Sequence, residues 1–147
     1  MADITSIKWI YPSTFTGAFP EGIKCGFRRM VVNLTSQSDG TGEEDAIKVR
    51  KADLLDSNGH VPERLVVEKV EYDISGMSVT LEWDNQSDEV ICDLSTGNGC
   101  LDWTSFGGKI PDWDDDEALG STGDILLNTD GAVDGTYNIT LTIRLKD

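Results

Sequence analysis

His60 is the only histidine in the chain, so any Ser-His-Asp or Cys-His relay would have to run through it. It closes the stretch Asp56-Ser57-Asn58-Gly59-His60, a polar turn signature that offers no surroundings able to activate a nucleophile. Carboxylates number 27, so acids in pairs are everywhere and discriminate little. General acid/base work needs two carboxyls in different environments across a cleft, and the spacing isolates no such pair. Glu68 and Glu82 both fall in strand-like segments. The most conspicuous acidic feature is Asp112-Trp113-Asp114-Asp115-Asp116-Glu117. An oxygen-rich loop suits Ca²⁺, yet this run lacks the alternating ligands and central glycine of an EF-hand, and a charge run is ordinarily a solvated or partner-facing loop. Asp56, Asn58 and Gly59 match only a fragment of a calcium loop. Gly107-Gly108-Lys109-Ile110 has no GxxxxGK[ST] frame, GxGxxG is absent, and no His/Cys cluster suits a transition metal. The chain therefore reads as non-enzymatic, with no catalytic residue, cofactor or metal assigned.

The elements that would position side chains are strands. Tyr137 to Lys146 alternates apolar odd positions with polar even ones, the period of a strand with one face buried. Met77, Val79, Leu81 and Trp83 share a face in the same way. Asn85 to Asp88 then forms a loop and Glu89 to Leu94 a returning strand, a hairpin. Leu65 to Ile74 aligns Val66, Val70, Tyr72 and Ile74 on one side, and Ser75-Gly76 turns the chain into the Met77 strand. Ile4 to Tyr11, Phe27 to Leu34, Ala46 to Lys51 and Asp124 to Asn128 complete a count of roughly eight strands. Pro12 and Pro20 confine the segment between them to loop or edge. Ala52 to Leu55 allows one helical turn. Strands at close spacing without helical intervals predict an all-β fold, a β-sandwich with jelly-roll topology as one option, in a single domain over residues 1–147. Ser95 to Gly123 is one long irregular region with a hidden edge strand expected around Cys100 to Phe106, and its length points to function.

The charge is −15, which repels a nucleic-acid backbone, and no basic run is longer than Arg28-Arg29 or Lys48-Val49-Arg50-Lys51. Hydrophobic residues at 38% are too many for a disordered chain. Residues 1–6 do not read as a signal peptide, and no apolar stretch is long enough to span a bilayer, so neither nucleic acid nor membrane is an expected partner. Cys25, Cys92 and Cys100 form no CxxC; they read as reduced thiols, with a Cys92–Cys100 disulfide as the alternative.

Arg28 to Thr35 through Ser38-Asp39-Gly40-Thr41, the phrase Val79-Thr80-Leu81-Glu82-Trp83-Asp84, and Thr122 to Thr129 with Tyr137 to Lys146 resemble small virion-associated structural proteins of tailed bacteriophages. These are scaffold phrases of strands and turns. The resemblance implies a capsid cement, or decoration, protein at the capsid surface, made in the host cytoplasm. Such a protein bridges major capsid subunits and self-associates, with a trimer as one form. Tail, neck or baseplate placement is the nearest alternative, followed by a glycan- or calcium-binding β module and an acidic decoy for a nucleic-acid-binding protein. On this reading the loops Ser13–Gly22, Ser38–Asp45 and Ser95–Gly123 make the contacts, with Phe15, Phe19, Trp103, Phe106 and Trp113 as interface anchors. The alternative is packing: Phe15 and Phe19 tuck a loop against the sandwich, and Trp103 and Phe106 cover the end of the core.

Overall fold

A computed structural model describes residues 4–11, 15, 26, 28–37, 42–55, 59–84, 89–110, 122–130 and 135–146. The loops Asn85–Asp88, Ser38–Thr41 and Gly131–Asp134 lie outside the described residues, as do Pro12 and Pro20. The described strands are β1 (Ile4–Tyr11), β2 (Arg29–Gln37), β3 (Ala46–Val49), β4 (Arg64–Ser75), β5 (Ser78–Trp83), β6 (Glu89–Leu94), β7 (Gly97–Asp102), β8 (Ile125–Asp130) and β9 (Thr136–Lys146). They form two antiparallel sheets, one ordered β1-β2-β9-β4-β7 and the other β3-β8-β5-β6, a sandwich-like all-β arrangement.

The alternation in β9 does what its period demands. Tyr137, Ile139, Leu141, Ile143 and Leu145 are all buried, and β9 lies in the middle of its sheet between β2 and β4. Across it, Met30, Val32 and Leu34 of β2 face the same interior. From the other sheet come Val79, Leu81 and Trp83 of β5, Ile125 and Leu127 of β8, and Val49 of β3. Two inner faces meeting in this way make one shared core.

Three expectations are corrected. The described strands number nine, because the hidden edge strand is β7, which starts at Gly97 and ends at Asp102. Its glycines disguise it: a Cβ on Gly99 would come within 2.8 Å of the Tyr72 hydroxyl, so the Tyr72 side chain lies where a larger residue would project. In β4, Val66 does not share a face with Val70 and Ile74. A bulge falls between Val67 and Lys69; Leu65, Val67, Val70 and Ile74 belong to the core cluster, while Val66 is buried outside it. The extra residue resets the two-residue phase. The expected helical turn is a 3₁₀ turn at Lys51–Asp53, tied to β8 by the Lys51 N–H donating to Asp124 Oδ1 at 2.8 Å.

The Ser75-Gly76 turn carries the chain from one sheet to the other, since β4 and β5 belong to different sheets. β5 and β6 form the expected hairpin, with a bulge between Leu81 and Glu82. Cys92 on β6 and Cys100 on β7 are both free thiols in different sheets, not joined by the disulfide that was the alternative; Cys25 lies outside the described residues. Among the described residues, no helix is long and apolar enough to cross a membrane.

Trp83 is among the largest fully buried side chains. Trp83→Ala should cost about 3–5 kcal/mol of stability, measured by urea unfolding; an unchanged transition would place the core elsewhere.

Candidate functional site

Trp103 and Phe106 come together on a strap that leaves the end of β7 and returns to β4. Asp102 starts it, accepting from the Thr104 N–H at 2.9 Å and from Thr104 Oγ1 at 2.6 Å. These bonds, side-chain first, hold the Asp102 carboxyl below the ordinary 3.8. A 3₁₀ turn over Thr104–Phe106 follows, in which Phe106 N–H donates to the Trp103 carbonyl and Gly107 N–H to that of Thr104. Gly107 and Gly108 then take φ of 86° and 92°, a region that glycine enters without steric cost. At Gly108 size matters as well as φ, because a Cβ there would sit 2.5 Å from Val66 Cγ1. The strap closes as Lys109 and Val67 exchange backbone hydrogen bonds of 2.8 and 3.0 Å.

Glu68, 5% exposed, holds the underside of the strap. Its carbonyl accepts from the Trp103 N–H at 2.9 Å. Its carboxylate accepts from Arg29 Nε at 2.7 Å and lies 3.6 Å from Arg144 Nε. The second contact is an ion pair and not a hydrogen bond, since Arg144 Nε is buried without a hydrogen-bond partner. Arg144 Nη2 donates to the Gly107 carbonyl at 2.9 Å. The hydrogen bond from Arg29 to Glu68, with the charge of Glu68 second, raises the Arg29 pKa.

Above this anchor, Trp103 is half-buried and packs against the core, with Lys109 Nζ 5.7 Å from its ring centroid, a cation–π contact. Phe106 is 80% exposed. The strap thus separates two aromatics that the sequence grouped: Trp103 covers core, and Phe106 projects into solvent. Phe15 is 6% exposed and meets Trp9 edge-to-face, with centroids 4.8 Å apart, the geometry of the packing alternative. Phe19, Trp113, the Asp112–Glu117 run and most of the Ser13–Gly22 loop lie outside the described residues.

Among the described residues, concavities lie against both sheets. A cleft of about 300 Å³ between β1 and β3 is lined by Ile7, Trp9, Ile47, Lys48, Arg50, Asp53 and Leu54. Lys48 is buried there and pairs with Glu43 at 2.5 Å; Glu43 also accepts from the Tyr137 hydroxyl at 2.5 Å. A shallow trough of about 280 Å³ on the other flank is lined by Glu71, Asp73, Asn98, Asn138 and Thr140 with Tyr72 and Gly99. Among the described residues, no group of three His, Cys, Asp or Glu side chains could hold a metal ion. His60 is exposed.

The sequence reading found the aromatics of the strap but missed the Glu68–Arg29–Arg144 and Glu43–Lys48–Tyr137 clusters. Their members lie far apart in the chain, and the bulge that buries Glu68 leaves no mark in composition. Comparison with protein-family models, curated proteins and solved structures finds no match to this chain.

The two described thiols should differ sharply. Burial first, and Asp93 second, push the Cys92 pKa up from 9.0 to about 12, while Cys100 is exposed on the edge strand. Brief alkylation near neutral pH, read by peptide mapping, should label Cys100 and spare Cys92 until the chain is unfolded. A raised folded pKa also fixes a sign: the contribution of Cys92 to stability is complete below 9.0 and is lost as pH rises toward about 12. Equal labelling of both thiols in the folded protein would contradict the placement of β6.

Proposed function

We propose that the chain is a non-enzymatic structural protein of a tailed-phage virion, a capsid decoration protein whose two sheets form a jelly roll. The observation that carries this reading is the strand order. With β1 set aside as an extra edge, β2-β9-β4-β7 stands against β3-β8-β5-β6. From β2 onward the chain changes sheet at every connection except the β5–β6 hairpin. That alternation supports a double Greek-key jelly roll, an architecture used by viral capsid and lectin domains. Fold alone does not assign function. The reading also rests on the resemblance to virion-associated proteins and on a strap that holds one aromatic out for a partner.

The work of such a protein is mechanical. Many copies each add a modest interface, and their joint engagement of the shell resists its rupture. Phe106 is the anchor best placed for docking, because its strap is pinned to β4 and β9 by Lys109, Trp103 and Arg144. A pre-ordered aromatic loses little freedom on docking. The partner is the major capsid protein, offering a surface less acidic than the chain's own.

Electron microscopy of the virion that carries this gene tests the assignment. Repeated density bridging capsid subunits, with Phe106 against the shell, is the expected result. Density confined to the tail, neck or baseplate would move the protein to that class, and absence from the particle would refute the virion reading. Phe106→Ser should leave stability within about 0.5 kcal/mol of the parent while lowering occupancy on the capsid.

A further inference from the structure

The two sheets end on β1 and β7 and on β3 and β6. Among the described residues each of these strands has a neighbouring strand on one side only, and such an edge is a template for another strand. Three of these edges carry features that discourage pairing. β3 has four residues, a register shift between Ile47 and Val49 and a buried lysine, Lys48, paired with Glu43. β6 contains a register shift, with Ile91 as the extra residue between Val90 and Cys92, and carries Glu89 and Asp93. β7 is weakened by Gly97 and Gly99, ends in Asp102 and lies against the strand that holds Glu71 and Asp73.

Among the described residues β1 is the least protected of the four, with Lys8 as its one charged side chain. It pairs with β2 in unbroken register from Ile4 to Trp9, and its only shift comes at the far end, between Trp9 and Tyr11. Thr5, Ser6 and Lys8 are exposed, as are three large apolar side chains, Ile7 at 45%, Ile10 at 47% and Tyr11 at 54%. A regular edge with exposed apolar residues is a pairing surface by construction.

Charge identifies the occupant. The chain carries −15 overall, yet residues 4–38 contain a single acid, Glu21, against Lys8, Lys24, Arg28 and Arg29. Neither β1 nor β2 has an Asp or Glu. A surface built for a basic partner would display the acids this chain has in abundance. An edge cleared of them is one that a second copy of the same acidic chain can approach, with most acids held away from the contact.

We propose that β1 is a self-association edge: two copies pair β1 to β1, antiparallel about a two-fold axis, and merge their five-stranded sheets into one. A two-fold contact is self-complementary and closes at two copies, so the edge is consumed and no open fibre grows. The inference goes beyond the virion reading and does not rest on it.

The test uses the full chain in solution. Sedimentation equilibrium over a concentration series should give a monomer–dimer equilibrium. Hydrogen exchange should show the Ile4–Tyr11 amides more protected at high concentration than at low. Raising salt from roughly 0.05 to 0.5 M should tighten the dimer, because it screens the remaining repulsion. Lys8→Glu adds a carboxylate to each edge and should weaken the dimer roughly tenfold, while Lys8→Arg should leave it unchanged; circular dichroism of both variants checks the fold. A monomer at every concentration, a trimer, or a dimer whose strength and β1 exchange are indifferent to Lys8→Glu would overturn the proposal.

Discussion

A carboxylate taken out of water must find partners, because leaving it unpaired in a low-dielectric interior is far costlier than pairing it well. Glu68 meets that constraint at the bulge of β4, and much of the surrounding architecture follows from it. The bulge brings Val67 and Val70, three positions apart, onto the same core-facing side of the strand. It places the Glu68 carboxylate between Arg29 of β2 and Arg144 of β9, tying three strands of one sheet through their side chains. It also leaves the Glu68 and Val67 backbone free to receive Trp103 and Lys109. One residue therefore sets the phase of a central strand and the seat of the strap that presents Phe106.

The same economy handles the rest of the charge. Glu43 is partly buried in company with Lys48 and the Tyr137 hydroxyl, and Asp124 accepts the Lys51 N–H. Other acids of the strands, Glu71, Asp73, Asp93, Asp102 and Asp130, stay at the surface. An acidic shell over an apolar double-sheet core is compatible with the proposed contact role. Two features stand out from that shell, the exposed Phe106 on its strap and the acid-free edge of β1, and the two proposals rest on them.

How much was legible depended on whether local pattern and tertiary setting agreed. β9 and β5 could be read directly, since each has one wet face and one dry face and the period of two survives intact. Bulges broke that reading. In β4, Val66 looked like a partner of Val70 because a strict two-residue period joins them, and nothing in Val66-Val67-Glu68-Lys69 announces an extra residue. β7 was visible only as a suspicion, because Gly97 and Gly99 are turn residues by composition and become strand only beside Tyr72 and Ile74 of β4. The aromatics of the candidate site were visible as types but not as roles. Trp103 and Phe106 are three residues apart, and only the 3₁₀ turn between them sends one toward the core and the other to solvent. The ion clusters could not be read, since Arg29, Glu68 and Arg144 meet only after three distant strands have paired.

The measurement that bears most directly on this account is amide exchange and urea unfolding of Glu68→Ala. Loss of the carboxylate leaves Arg144 without its ionic partner beneath the strap, and should destabilise the fold by about 2–4 kcal/mol. The same variant should speed exchange at Lys109 and Trp103 more than at Leu141 in the middle of the sheet. If stability and strap protection were both unchanged, the claim that a buried Glu68 organises this sheet and seats the strap would be wrong.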